Sequence, residues 1–303
     1  MLVDKAAKIG WIGTGVMGKS QAGYLLKNGL SVSVFNRTPS KADDLLVSGA
    51  VFKSVKDIAK ESDYLFLMLG YPKDIETMVF DETDGLLNYM KPGSVLIDHT
   101  TSSPGLAVRI ADECRRRNID SIDAPVSGGD IGARNGSLVT MCGGNVNAFE
   151  RTKPYMDLYS AQVKLMGGPG AGQHTKATNQ IMIASSMIGT VEALIYGHKA
   201  GLDLDEVLTL LSQGGASSFT MSKLGPRMLK RDFEAGFYVE HFVKDLGIVL
   251  EEARRMNISL PGTALASQFY AAYVAQGGSR NGTQGLLTVF EKLNNMEIPK
   301  YDL

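Results

Sequence analysis

Lys8-Ile9-Gly10-Trp11-Ile12-Gly13-Thr14-Gly15-Val16-Met17-Gly18 decides the fold. A short apolar run ends in G-x-G-x-x-G, and a helical pattern follows through Met17, Ala22, Leu25 and Leu26 before Asn28-Gly29 closes it. Strand, glycine turn and helix in that order make a dinucleotide-binding unit. The glycines let the backbone turn tightly and approach a pyrophosphate, and the helix N-terminus offers it free N–H groups and a positive dipole end. Gly13, Thr14, Gly15, Val16, Met17 and Gly18 are therefore the expected phosphate contacts.

Outward from this turn, Leu30–Phe35 alternates as a second strand and runs into Asn36-Arg37-Thr38. An acidic residue closing that strand hydrogen-bonds the ribose hydroxyls of NAD and repels a 2′-phosphate. Asn36 stands there instead, followed by a cation and a hydroxyl, which favours NADP(H) and leaves NAD(H) possible. The competing reading makes Arg37 a solvated loop charge. Tyr64–Leu69 and Ser94–Asp98 are continuous apolar runs, as expected of parallel strands covered on both faces. Further strands are expected at Ser121–Ala124, Leu138–Cys142 and Val163–Met166, with helices at Pro104–Arg117 and Ala148–Leu158. This alternation predicts a doubly wound sheet over residues 1–168, with ligands beyond the carboxyl ends of its strands. The loops at Leu69-Gly70-Tyr71, Thr100–Ser103 and Pro125–Asp130 would then surround cofactor and substrate. In the last of these, Ser127, Gly128 and Gly129 can present a hydroxyl and successive N–H groups to an anion; taken alone this is a weak signal, and a structural turn is the favoured explanation.

A second glycine-crowded stretch, Gly167-Gly168-Pro169-Gly170-Ala171-Gly172, opens a long helix whose first turns carry Lys176, Asn179 and Gln180 on one face. Beyond Gln180 the helix is apolar almost all round, through Ile181, Met182, Met187, Val191 and Ile195, and burial on every side is expected. A lysine at the mouth of a buried helix is a candidate functional group. The remainder of 169–303 is helical in pattern, with Leu204–Leu211, Phe242–Ala253, Pro261–Tyr273 and Gly282–Leu293 as its segments. An all-α second domain follows, its surplus apolar surface pointing to a homodimer or homotetramer. Lys244-Asp245 sits on the polar side of one helix, either aimed at the cofactor or simply exposed.

Composition removes several alternatives. A net charge of −1 gives no general attraction to nucleic acid or anionic membrane. The uncharged run from Ala177 to Val191 is short for a membrane span, and Met1–Lys8 reads as a lead-in and not a signal peptide. Cys114 and Cys142 lie in no metal-ligand spacing and read as reduced, buried thiols of a cytoplasmic protein, with a disulfide the weaker reading; no metal site is expected.

Taken together, Gly13–Gly18, Asp123–Gly129, Gly170–Gln180 and Phe242–Leu246 resemble, in order and over nearly the whole chain, the β-hydroxyacid (3-hydroxyisobutyrate) dehydrogenase family. The resemblance implies an N-terminal Rossmann domain, an all-α C-terminal substrate and dimerisation domain, and an active site in the cleft between them. It implies that Lys176 is the catalytic lysine, that Ser127, Gly128 and Gly129 hold the substrate carboxylate, that Asn179 with Gln180 orients substrate, and that Thr101 and Lys244 contact cofactor. Asn179-Gln180 in place of the commoner Asn-Asn is similar to tartronate semialdehyde reductases; Leu69-Gly70-Tyr71-Pro72 and Arg280–Gly285 also depart from the usual pattern. These departures leave the substrate open among 3-hydroxyisobutyrate, succinic or tartronate semialdehyde, and glyoxylate. The implied chemistry is hydride transfer to a carbonyl whose oxygen gathers charge, stabilised and protonated by the Lys176 ammonium. In the oxidative direction the amine must be neutral, so its pKa must fall from the free value of ~10.4. A catalytically silent NADP-binding interaction protein and an imine reductase are the alternatives; the first does not need Lys176, Ser127 and Asn179 together, and the second would be expected to replace the lysine.

Overall fold

The computed structural model describes residues 3–302 and divides into two compact units, the first ending at Lys176 and the second beginning at Ala177. In the first, β1 (Lys8–Ile12), α1 (Val16–Lys27), β2 (Ser31–Phe35), α2 (Asp43–Val47), β3 (Val51–Phe52), α3 (Val55–Glu61) and β4 (Tyr64–Leu67) follow in order. Then come α4 (Pro72–Phe80), β5 (Val95–Asp98), α5 (Pro104–Arg115) and β6 (Asp120–Asp123). The unit continues through β7 (Val126–Ser127), α6 (Gly129–Asn135), β8 (Leu138–Gly144), α7 (Val146–Met156) and β9 (Ser160–Gly167). The sheet order is β3-β2-β1-β4-β5-β6-β8-β7, with β9 also paired to β8. Strands β1 to β6 are parallel, whereas β8 runs antiparallel to both β6 and β7.

Alternation along these strands explains their continuous apolar runs. Phe66, Val95 and Ile97 join one core with Trp11, Val32 and Ile122, while Leu65, Leu67 and Leu96 join a second core with Ile58, Ile75 and Ile110. The carboxyl ends are stitched in step: Gly13 N–H donates to Phe35 O, Met68 N–H to Ile12 O, His99 N–H to Leu67 O and Ala124 N–H to Asp98 O. The short β3 and β7, and helices α2, α3, α4 and α6, fall outside the elements expected from pattern; they are too short to show a period.

A buried aromatic group fastens the middle of this edge. His99 stacks 5.8 Å from both Trp11 and Phe66. Its Nδ1 lies 2.6 Å from Ala124 O and its Nε2 2.8 Å from the Tyr159 hydroxyl. A carbonyl only accepts, so Nδ1–H donates to Ala124 and neutral Nε2 accepts from Tyr159. Burial holds the ring neutral and pushes its pKa down to about 4.

The second unit opens within α8 (Ala171–Lys199) and adds α9 (Leu204–Leu211), α10 (Gly225–Leu229), α11 (Val239–Arg255), α12 (Pro261–Ala275) and α13 (Leu287–Leu293). Its core gathers Ala184, Met187, Val191 and Leu194 of α8 with Phe242, Leu246, Tyr270 and Leu287. The helix expected over Gly282–Leu293 is a 3₁₀ turn at Thr283–Leu286 followed by α13, and Gly282 forms an isolated antiparallel bridge with Tyr238. One expectation about α8 is corrected. It is long and apolar enough, by length and composition, to cross a membrane, with mean hydropathy 1.2, yet it is not buried all round within the chain. Met182 is 62% and Tyr196 76% exposed. The bundle covers only the stripe that carries Ala184, Met187 and Val191, because a helix has more perimeter than its neighbours here reach.

His99 makes stability pH-dependent. Its folded pKa lies below the unfolded value of 6.5, so the unfolded chain binds the extra proton. This contribution is fully present above pH 6.5 and is lost as the pH falls toward 4, by on the order of 3 kcal/mol. Urea midpoints across that range should slope downward with acid in the wild type and lose most of that component in His99→Phe. Parallel slopes would show that the ring is not the titrating group.

Candidate active site

The glycine turn after β1 is built by exclusion. Gly13 adopts φ 98°, and a Cβ there would overlap the Met68 carbonyl; a Cβ on Gly18 would overlap the Gly13 carbonyl and approach Trp11 Nε1. Trp11 Nε1–H itself donates to Gly13 O at 3.0 Å. The turn fits a pyrophosphate. A Cβ on Gly15 would meet nothing within 4 Å, and Thr14 Oγ1 is buried with no hydrogen-bond partner among the described residues. Val16 is exposed and Met17 half-buried at the start of α1. Asn36 serves the turn itself: its Oδ1 accepts from Thr14 N–H at 3.1 Å and its Nδ2 donates to Thr38 O at 2.9 Å. Arg37 and Thr38 are exposed, and the Arg37 guanidinium, 83% exposed, lies 3.6 Å from Asp74 in the first turn of α4. Leu69 and Gly70 are half-buried, and Leu69 N–H donates to Thr100 Oγ1 at 2.8 Å. Thr101 follows, half-buried, between the buried Thr100 and Ser102.

Beyond β6, the chain passes through Pro125 to Ser127, which is half-buried, and to Gly128 and Gly129 at φ 128° and 63°. Lys176 belongs to the same unit. It is only 6% exposed, and its Nζ donates to the Val126 carbonyl at 2.9 Å. A lysine head this deep needs an acceptor, and the carbonyl beside Ser127 is one. The structure thus brings together, in one unit, the glycine turn, the Leu69 and Thr101 loops, the Ser127-Gly128-Gly129 loop and Lys176.

Asn179, Gln180 and Lys244 belong to the second unit. There Asn179 Nδ2 donates to Gln180 Oε1 at 2.7 Å, and Gln180 Nε2 donates to Asp245 Oδ2 at 2.6 Å. Lys244 Nζ lies 3.1 Å from Asp245 Oδ1, with both side chains largely buried. The exposed-face alternative for Lys244-Asp245 is overturned: α11 turns this pair toward α8, where Gln180 takes up the carboxylate.

Two residues outside the sequence-derived set hold the site in shape. Asp123, buried, accepts from Gly170 N–H at 2.8 Å and Gln173 N–H at 2.9 Å. Gln173, also buried, accepts from Ser102 N–H at 2.9 Å and donates to Thr100 O at 2.8 Å. A carboxylate closing a buried strand was a usable signal for Asp123, since such a group must be partnered. Nothing in the local pattern marks Gln173.

Comparison with known proteins gives the family. Residues 8–168 match the family described as the NAD binding domain of 6-phosphogluconate dehydrogenase, and residues 170–290 that described as NAD-binding of NADP-dependent 3-hydroxyisobutyrate dehydrogenase. A probable 3-hydroxyisobutyrate dehydrogenase-like protein of Arabidopsis thaliana, designated mitochondrial, is 50% identical over 303 residues, covering 100% of this chain and 90% of its own. The chain belongs to the 3-hydroxyisobutyrate dehydrogenase family. It is an NAD(P)-dependent oxidoreductase of the hydroxyacid dehydrogenase type. Within the family, 2-hydroxy-3-oxopropionate reductase of Escherichia coli is 36% identical over 292 residues, 96% of this chain and 99% of the reductase. The crystal structure of 3-hydroxyisobutyrate dehydrogenase from Salmonella typhimurium superposes with a TM-score of 0.84 at 27% identity, covering 94% of this chain and 100% of that one.

Proposed function

We propose that the enzyme interconverts a small carboxylate-bearing hydroxy acid and its semialdehyde or oxo acid with NADP(H) as the preferred cofactor, and that Lys176 is its proton-transfer group. The observation that carries this reading is the burial of Lys176 with its Nζ on the carbonyl next to Ser127. Relatives named for 3-hydroxyisobutyrate and for 2-hydroxy-3-oxopropionate support the substrate class.

Gly13 to Gly18 would hold the pyrophosphate, with Asn36 shaping the turn and Leu69, Gly70, Thr101 and Lys244 lining the remainder of the cofactor. When bound, the nicotinamide supplies or accepts the hydride. The chain's own part is orientation and proton transfer. Ser127, Gly128 and Gly129 fix the substrate carboxylate, and Asn179 with Gln180 orients the substrate, so that the distance from carboxylate to reacting oxygen is set before reaction. Donation from the Lys176 ammonium to the substrate oxygen stabilises developing charge and then delivers the proton.

On this reading residues 1–168 form the dinucleotide-binding domain and 169–303 the substrate and dimerisation domain. The compact units part later, at Lys176, because Asp123 draws the first turns of α8 onto the first unit. The apolar strip with Met182 and Tyr196 supports a homodimer or homotetramer. The free, buried thiols of Cys114 and Cys142 fit the cytoplasm.

Lys176→Ala should leave nucleotide affinity nearly intact and lower kcat by about 10²–10⁴, the usual worth of a general acid. Separate binding titrations and turnover measurements check this, and turnover within threefold of wild type would remove Lys176 from the role. Ser127→Ala should weaken 2-hydroxy-3-oxopropionate by on the order of 10- to 100-fold while an uncharged aldehyde of equal length changes little. Equal losses on both would make the loop structural. For the cofactor, the exposed Arg37–Asp74 pair is worth about 0–1 kcal/mol, whereas a charge-assisted bond to a 2′-phosphate is worth about 1.5–3 kcal/mol, so the phosphate displaces Asp74. NADPH should therefore be preferred over NADH by on the order of 10- to 100-fold in kcat/KM, and Arg37→Ala should collapse that ratio. A wild type favouring NADH, or a ratio unmoved by the substitution, would contradict the assignment.

A further inference from the structure

Lys176 lies one helical turn beyond Gln173, which is tied by both its backbone and its side chain at the start of α8. Its backbone N–H is held by Asp123 Oδ2 at 2.9 Å. Its side chain spans the loop after β5, accepting from Ser102 N–H at 2.9 Å and donating to Thr100 O at 2.8 Å. Thr101 is the residue between those two contacts. Thr100 in turn holds Leu69 N–H through its hydroxyl at 2.8 Å. The two facing segments also run in step: Asp123 meets Gln173, and three residues along each chain, Val126 meets Lys176.

From these contacts we infer that Gln173 is a positioning residue that couples the cofactor-side loops at Leu69 and Thr101 to the Lys176 ammonium. The inference rests on the reading of Lys176 given above and adds to it the route by which its place is fixed. Side-chain length is what makes the coupling possible. The Gln173 carboxamide carries a donor and an acceptor on one planar group, and here they meet a carbonyl and an N–H two residues apart on the same loop. Both partners are backbone groups of buried residues, so losing the carboxamide strands two buried polar groups and frees the loop to shift.

The seat beneath α8 leaves no slack to absorb such a shift elsewhere. A Cβ on Gly143 of β8 would crowd Asp123 Oδ1 and the backbone nitrogens of Ala171 and Gly172. A Cβ on Gly172 would crowd Met141 O and Asp123 O. Helix and sheet therefore approach backbone to backbone, and this close seat, together with the hydrogen bonds of Asp123 and Gln173, sets where Lys176 lies beside the Ser127 loop. Burial raises the Asp123 pKa while the N–H groups of Gly170 and Gln173 pull it back down, in keeping with an anchor whose partners matter.

The test is Gln173→Met, which keeps length and apolar bulk but neither hydrogen bond. Turnover is measured for 3-hydroxyisobutyrate with NADP⁺ and for 2-hydroxy-3-oxopropionate with NADPH, alongside NADPH affinity and the rate at which acetic anhydride labels Lys176. Misplacing a reacting group by about 1 Å costs on the order of 10²-fold, so kcat should fall by about 10- to 100-fold, a larger loss than that in NADPH affinity. The buried Lys176 amine should label several-fold faster. In a Lys176→Ala background the same substitution should add nothing, since its effect passes through the lysine. Lys176→Ala alone at the wild-type rate would be the failure of the reading of Lys176. Gln173→Met with unchanged labelling and kcat, or a loss that multiplies with that of Lys176→Ala, would overturn the coupling. If Gln173→Met does not fold, Gln173→Glu keeps the bond from Ser102 and sets a carboxylate against the Thr100 carbonyl, with the same expected and contrary results.

Discussion

One carboxylate seats the first turns of the longest helix on the sheet. Asp123 closes β6 and turns inward, and the N–H groups of Gly170 and Gln173 are the partners that make its burial tolerable. Those N–H groups belong to the donors at a helix start that have no partner within the helix. Strand end and helix start each carry what the other lacks, and the contact fixes where α8 begins relative to the loops that follow β5 and β6.

Function is arranged around that contact. The parallel strands deliver their loops to one edge, where Phe35, Ile12, Leu67 and Asp98 carbonyls hold the next segment along. His99, neutral between Trp11 and Phe66, ties β5 to Ala124 just ahead of the Ser127 loop. Lys176 then finds the Val126 carbonyl one turn past Gln173. In the second unit the same helix continues into Asn179 and Gln180, and Gln180 is held by the buried Asp245. Lys176 and Gln180 thus sit on a helix held by buried polar partners, which is the condition for orientation to count in catalysis.

Much of this was legible in order along the chain. The run Lys8–Gly18 carried strand, turn and helix together, and the apolar runs at Tyr64 and Ser94 announced strands with two covered faces. Lys176 stood out because a charge opened an apolar helix. Other features had no such trace. Asn36 looked like a group facing the cofactor ribose, yet its carboxamide supports Thr14, a partner 22 residues away. Gln173 has no neighbour in sequence that explains it, since its partners come from a loop 71 and 73 residues upstream. Met182 matched an all-round apolar pattern yet is exposed; pattern says how greasy a helix is and not what covers it.

In the proposed reaction Lys176 hands its proton to the substrate oxygen while the Ser127 loop holds the carboxylate. A crystal structure of the enzyme with NADP⁺ and 3-hydroxyisobutyrate tests it directly. The substrate hydroxyl oxygen should lie within about 2.6–3.2 Å of Lys176 Nζ, with the carboxylate on Ser127, Gly128 and Gly129. A hydroxyl lodged beyond hydrogen-bond reach, with Lys176 still committed to the Val126 carbonyl and another group on the oxygen, would contradict it.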